Sequence, residues 1–182
     1  MSSLVADGAG TWSRDGRRLW ISARQNDHAR YQLFPVDVPT RKLLEPIAVS
    51  DIFSFGMAIA PDDRWIAAVG PDRVLTVYPV DKGEPIRISS LQPALYPVPA
   101  GWTGRGELWV FLSRATPARL VRVEVFSGKI TRSIDLDPRQ LGGEEMTDIT
   151  DARITPDESV LVVEYHVRRG RLDVVSGIPA DR

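Results

Sequence analysis

Four segments of the chain share one layout and recur at a nearly constant distance. Each has a large apolar residue, a polar turn of four or five residues, and then an apolar run. The segments are residues 12–22, 59–69, 102–111 and 154–163. Their first residues lie 47, 43 and 52 positions apart. A period in this range indicates a repeat architecture, in which each unit buries apolar surface against its neighbours.

The polar turns predict tight hairpins. Asp15-Gly16 is a strong turn pair, because glycine adopts positive φ without a steric cost. Pro61 and Pro156 preset φ for the first central position of a turn. The apolar runs that follow are short and barely alternate, which is typical of strands covered on both faces. We expect all five tryptophans to pack between units: Trp12, Trp20, Trp65, Trp102 and Trp109.

Each unit continues with a second pair of short apolar segments. The predicted count is therefore four strands in each of the first three units and three in the fourth, the last of them at residues 172–175. A period near 45 with four strands is typical of a β-propeller blade. A β-sandwich is the alternative, but sandwiches do not repeat a turn-plus-run motif at this period.

We therefore expect an all-β fold of about four antiparallel, four-stranded propeller blades in one domain spanning residues 1–182. The blades are predicted at approximately residues 8–48, 52–90, 96–136 and 148–178. Four blades can close a ring, although they are at the low end of the known range. A closed ring, an open arc that is part of a larger ring, and a homodimer that completes a ring by two-fold symmetry all remain open.

The turns resemble the Ser-Pro-Asp-Gly blade motif of WD40-like and TolB-like bacterial propellers. Residues 60–63 (Ala-Pro-Asp-Asp) and 155–158 (Thr-Pro-Asp-Glu) keep the Pro-Asp pair. Residues 13–16 (Ser-Arg-Asp-Gly) keep the serine and the Asp-Gly, whereas residues 103–106 keep only the final glycine. The resemblance covers roughly residues 10–178 and implies a fold that serves many functions.

The last segment is similar to the closing blade of propellers at the C-terminus of some bacterial serine/threonine kinases. The residues that carry this likeness are 151–157, Tyr165, Arg168, Leu172, Val175, Gly177 and Ile178. In such kinases a membrane segment separates the kinase domain from an extracytoplasmic sensor. The kinase motifs are missing from this sequence. The resemblance implies the sensor part alone and an extracytoplasmic location; without it, we expect a cytoplasmic one.

Composition excludes several classes of function. The 23 Lys and Arg residues balance 24 Asp and Glu residues, which argues against a nucleic-acid partner. The sequence has no cysteine, so disulfides, zinc–thiolate sites and cysteine nucleophiles are excluded. With only His28 and His166, one chain cannot build a multi-histidine metal site. The chain also lacks an apolar run of about 18 residues, so we expect no membrane segment.

No catalytic motif stands out. A Gly-x-Ser-x-Gly elbow is absent, and nothing selects a catalytic pair among the acidic residues. The acidic residues 135–151 lack the ordered spacing of a calcium loop. We therefore predict no catalytic residue, no metal, no cofactor and no enzyme activity. The alternatives are a propeller enzyme, either lactonase-like with a metal or peptidase-associated, and a purely structural assembly module.

On these grounds we expect a recognition or sensor module for a protein or a small ligand. Propellers bind ligands at the central mouth, where loops from every blade converge. The loops in question join the second to the third strand of a blade, or lead into an inner strand; both histidines are predicted in loops of the first kind. The candidate ligand-binding residues are His28, Arg30, Arg73, Tyr96, Arg119, His166 and Arg168.

Overall fold

The computed structural model describes residues 5–25, 30–47, 53–137 and 146–167, and this part of the chain contains 14 β-strands and one short 3-10 helix, Pro93–Leu95. The strands are β1 (Val5–Trp12), β2 (Arg18–Arg24), β3 (Gln32–Asp37), β4 (Lys42–Leu43), β5 (Phe53–Ile59), β6 (Trp65–Val69), β7 (Leu75–Pro79), β8 (Ile86–Arg87), β9 (Pro97–Trp102), β10 (Leu108–Leu112), β11 (Ala118–Glu124), β12 (Lys129–Leu136), β13 (Met146–Ile154) and β14 (Leu161–Val167).

The strands form antiparallel sheets in which sequence neighbours pair. Three sheets have four strands each: β1–β4 is blade 1, β5–β8 is blade 2 and β9–β12 is blade 3. Strands β13 and β14 pair as blade 4. The predicted all-β architecture of propeller-type blades is confirmed. The third strand predicted for blade 4, at residues 172–175, lies outside the described residues.

The blades stand side by side through their inner strands. Strand β1 packs beside β5, β5 beside β9, and β9 beside β13, whereas the described residues show no comparable packing between β13 and β1. One hydrophobic cluster fills each boundary between successive blades. Because blades 2 and 3 contribute both faces of their sheets to such clusters, and blades 1 and 4 contribute one face each, the core is divided among the blade boundaries. In the described residues, the four blades therefore form an arc.

The second strands show why the apolar runs barely alternate. In β6, Ile66 and Ala68 pack toward blade 1, whereas Ala67 and Val69 pack toward blade 3. Strand β10 is buried at every position for the same reason. In β14, Leu161 and Val163 pack on blade 3, but Val162 on the opposite face is 60% exposed. No further blade covers that face in the described part of the chain.

All four predicted hairpin turns have the same backbone. The fourth residue of each turn has positive φ and donates its N–H to the carbonyl of the first. These residues are Gly16, Asp63, Gly106 and Glu158, with φ of 68°, 57°, 81° and 61°. The third turn, where the motif is weakest in the sequence, therefore matches the other three.

The burial of the tryptophans corrects one prediction. Trp20, Trp102 and Trp109 are buried, and Trp65 is half-buried, but Trp12 is 55% exposed. Trp102 occupies the same place in blade 3 as Trp12 in blade 1, and its indole Nε1 donates to the carbonyl of Ala58 in the preceding blade at 3.0 Å. Blade 1 has no preceding blade among the described residues, so Trp12 has no equivalent surface to pack on.

Candidate functional site

The meander topology sorts the loops onto two edges of the arc. The described parts of the β2–β3, β6–β7 and β10–β11 connections, together with the segment that leads into β9, lie at one edge, which we call the connection rim. The β1–β2, β5–β6, β9–β10 and β13–β14 turns lie at the opposite edge, the turn rim. Of the candidate residues chosen from the sequence, Arg30, Arg73 and Tyr96 lie in loops of the connection rim.

Arg73 lies in the β6–β7 connection of blade 2. Its N–H donates to the carbonyl of Gly70 at 2.9 Å, and its φ is 60°, in the left-handed region. The neighbouring Asp72 accepts a hydrogen bond from the N–H of Val74 at 3.1 Å. These bonds determine the path of the turn, and the Arg73 side chain is exposed to solvent.

Tyr96 ends the 3-10 helix that leads into β9 of blade 3. Its N–H donates to the carbonyl of Pro93 at 3.1 Å, and its φ is 51°. A left-handed conformation at a non-glycine residue costs about 1–3 kcal/mol and persists only where the surroundings impose it. Here the surroundings include the β10–β11 connection, because Ser113 donates to the Tyr96 carbonyl through both N–H and Oγ.

Arg114 follows Ser113 and completes the cluster. Its N–H donates to the carbonyl of Leu95 at 3.2 Å, which holds the residue beside the end of the 3-10 helix. The guanidinium carbons of Arg73 and Arg114 each lie 4.3 Å from the centroid of the Tyr96 ring. We call these three side chains the arginine–tyrosine cluster. Each such contact contributes about 0.5–1 kcal/mol at an exposed position, which orients a guanidinium without neutralising it.

The two guanidinium groups of the cluster have no carboxylate partner in the described part of the chain. The nearest acid in sequence, Asp72, forms an ion pair with Arg87, with Nη2 and Oδ2 2.7 Å apart. Burial raises the pKa of Asp72, but the hydrogen bond from Arg87 and the one from the Val74 N–H outweigh it, so the pKa lies below its ordinary value. Asp72 is therefore ionised at neutral pH, and its partner is Arg87 rather than Arg73.

The structure brings two of the seven sequence-predicted residues together, Arg73 and Tyr96. Arg114 was not among them, although it belongs to the β10–β11 connection, the kind of loop from which the candidates were chosen. Arg119 lies in β11 and pairs across the sheet with Asp135 of β12, with Nε and Oδ1 2.5 Å apart. Arg30 is exposed at the start of the segment that enters β3 of blade 1, whereas the cluster lies in blades 2 and 3.

The histidine prediction needs a correction. His166 lies within strand β14, opposite Asp148 of β13, and not in a connection between strands. Strand β14 extends to Val167 because the longer β13, which has two register shifts, continues to pair with it. His28 and Arg168 lie outside the described residues. The described residues contain no group of three acidic or histidine side chains that could hold a metal ion.

Comparisons with known proteins agree with the fold. No model of a protein family matches the sequence, and no curated protein matches it. Among solved structures, the chain is similar to a chain of Kuenenia stuttgartiensis hydrazine synthase, with a TM-score of 0.58 and 15% sequence identity. The match covers 96% of this chain and 59% of that one, so this chain spans about three fifths of the length of the structure that it matches. The chain is thus an all-β protein built of propeller-type blades.

The same comparison overturns the prediction that the chain is not an enzyme. That prediction used the absence of linear motifs, but the similar chain belongs to a synthase. A fold does not determine function, and catalytic side chains can converge in space without a recognisable motif in the sequence. At 15% identity the likeness shows the fold alone, and the chemistry in the name is that of the other protein.

No helix in the described residues is long and apolar enough to cross a membrane.

Proposed function

We propose that the arc is a recognition module that binds an anionic group, a carboxylate or a phosphate, at the arginine–tyrosine cluster of the connection rim. The observation that supports this is the placement of two exposed guanidinium groups, neither paired with a carboxylate in the described residues, around one tyrosine ring. Guanidinium groups match carboxylate and phosphate oxygens in two-point hydrogen bonds. The ligand is either a small molecule or a segment of a protein.

The backbone supports a binding role for this cluster. Arg73 and Tyr96 belong to different blades, and both have left-handed backbones. Such residues occur preferentially where a side chain must be held for binding. The ordered turn and the bonds from Ser113 and Arg114 reduce the freedom that the two arginines would lose on binding an anion, which favours affinity.

The sequence likeness of residues 151–178 supports a finer assignment. On that basis, we place this module, as one domain, in the sensor part of a bacterial protein related to serine/threonine kinases, outside the cytoplasm. Binding of an anion at the connection rim would then be the input that such a sensor receives. The length of the similar solved chain is compatible with a larger assembly of blades around this arc.

A thermal-shift and calorimetric titration with inorganic phosphate and citrate tests the proposal at constant ionic strength. The double variant Arg73→Gln/Arg114→Gln removes both cluster charges, and the control Arg14→Gln removes one exposed charge at the turn rim. A ligand that binds the folded state raises its melting temperature. We expect a saturable rise and measurable heat for the wild type and the control, and the loss of both in the double variant. An equal response in all three proteins, or none in the wild type, refutes the proposal.

A further inference from the structure

The two guanidinium groups of the arginine–tyrosine cluster flank a single aromatic ring. The guanidinium carbons of Arg73 and Arg114 lie over the Tyr96 ring, each 4.3 Å from its centroid. At this distance one face of a phenol ring accommodates one guanidinium group, because two such groups on the same face would crowd and repel each other. Arg73 and Arg114 therefore occupy opposite faces, and the separation of their guanidinium carbons approaches twice 4.3 Å.

Two blades supply these three side chains. Tyr96 leads into β9 of blade 3, and Arg114 follows β10, the strand that pairs with β9 in the same sheet. Arg73 comes from the β6–β7 connection of blade 2, the preceding blade in the arc. The two cations thus approach the ring from separate elements, and the packing of blade 2 on blade 3 sets the distance between them.

The Tyr96 ring acts as a spacer whose position is imposed by the backbone. The Tyr96 N–H donates to the Pro93 carbonyl at 3.1 Å, and the Tyr96 carbonyl accepts from Ser113 N–H and Oγ at 3.4 and 3.3 Å. Tyr96 is half-buried, whereas Arg73 and Arg114 are exposed. Because the ring is already held in place, little freedom is lost when a ligand binds across it.

One small anion cannot bond to both guanidinium groups. A charge-assisted hydrogen bond from a guanidinium N–H to an anionic oxygen is about 2.8 Å long, so an anion that served both groups would have to lie midway between them. The Tyr96 ring occupies that place. Each guanidinium group must therefore take an anionic group of its own, on its own side of the ring.

We propose that the arginine–tyrosine cluster selects a ligand with two separate anionic groups, one for each face of the Tyr96 ring. This inference rests on the proposed function, which it narrows from an anion to a dianion of defined span. A small molecule with a carboxylate at each end has this chemistry. An extended peptide with acidic side chains at alternate positions has it too, because residues i and i+2 of a strand lie on one face about 7 Å apart.

Calorimetric titration with the α,ω-dicarboxylates from malonate to azelate, at constant ionic strength, tests the span. These ligands carry the same two charges and differ in the distance between them. We expect the affinity to pass through a maximum among the longer members, which can reach around the ring. The best of them should bind about tenfold or more tightly than malonate, and than the monocarboxylate of its own chain length, as expected for two linked contacts.

A matched pair of peptides, capped at both ends, tests a protein segment as the source of the two anionic groups. Gly-Glu-Ala-Glu-Gly and Gly-Glu-Glu-Ala-Gly have the same composition and charge, but only the first has its acidic side chains at alternate positions. A preference of the protein for the first peptide identifies a protein segment as the ligand. A maximum in the dicarboxylate series with equal affinity for the two peptides identifies a small molecule.

Single variants test whether each guanidinium group takes one end of the ligand. Arg73→Gln and Arg114→Gln should each reduce the affinity of the best dicarboxylate to that of the matching monocarboxylate and remove the maximum. Tyr96→Leu keeps both charges but removes the spacer, so it should also lose the maximum; circular dichroism checks its fold. Arg14→Gln, at the turn rim, should leave the whole series unchanged.

The outcomes separate this inference from the proposed function. Equal affinity along the dicarboxylate series and for both peptides, with binding lost in Arg73→Gln/Arg114→Gln, overturns the dianion inference and leaves the anion site in place. A maximum that persists in either single arginine variant also overturns the inference. If the wild-type protein binds none of these anions, both proposals fail.

Discussion

Val69 and Val162 have the same side chain on the same face of equivalent strands, and they differ in whether a blade follows. Val69 of β6 is 4% exposed and packs in the cluster between blades 2 and 3, whereas Val162 of β14 is 60% exposed. Replacing either valine by alanine removes two methyl groups. At about 0.8 kcal/mol per buried methylene, Val69→Ala loses about 1.6 kcal/mol of burial, and the cavity term raises this to about 2–3 kcal/mol.

Val162→Ala should cost much less. Only the covered part of the side chain loses burial, and the exposed face leaves no cavity, so we expect about 0.5 kcal/mol. The expected difference in the free energy of unfolding is therefore about 2 kcal/mol.

Urea denaturation followed by tryptophan fluorescence measures both free energies, provided that the two variants share the wild-type slope. If Val162→Ala lowers the stability as much as Val69→Ala, the reasoning fails, because it attributes the burial of second strands to the blade that packs on them.

Two further predictions concern the boundary between blades 3 and 4. The hydrogen bond from the Trp109 indole lowers the pKa of Glu158 below its ordinary value. This carboxylate therefore stabilises the fold above about pH 4.5, and its contribution is lost as the pH falls through the lowered pKa. Glu158→Gln should reduce the fall in melting temperature on the acid side, and a pH profile of the melting temperature identical to that of the wild type would contradict the assignment. Gly101 has a φ of 153°, and a Cβ there would lie 2.4 Å from the carbonyl oxygen of Ile154. Gly101→Ala should therefore lower the free energy of unfolding, measured by urea denaturation, by about 2 kcal/mol or more. Gly104→Ala is the control, because its Cβ would meet nothing closer than 3.8 Å. Equal losses of stability in the two variants would count against the close approach at Gly101.

Local chemistry made the blades predictable from the sequence. The hairpins depend on residues within four or five positions of one another, such as Asp15 and Gly16, and the apolar runs after them indicate strands that are covered on both faces. The exposure of Trp12 was not predictable in this way, because it depends on which blade precedes blade 1. A repeat pattern gives the surface that each unit buries, but it does not give the number of neighbours that the end units have.

The candidate sites depend on distances that no local pattern records. Arg73 and Tyr96 could be placed on one rim by strand counting, but their contact requires a left-handed turn in each of two blades. Arg119 was chosen from the same rim, yet the β11–β12 register places Asp135 opposite it.

Cross-linking of introduced cysteines tests the order of the blades most directly, since the chain has no cysteine of its own. Arg14 and Asp63 lie in the turns of adjacent blades and are joined by a hydrogen bond, whereas Arg105 lies in the turn of blade 3, one blade further along the arc. We predict that mild oxidation closes an intramolecular disulfide in Arg14→Cys/Asp63→Cys and leaves Arg14→Cys/Arg105→Cys as free thiols, as mass spectrometry of the monomer will show. Efficient closure of the second pair, or none of the first, would contradict the arc of radially stacked blades.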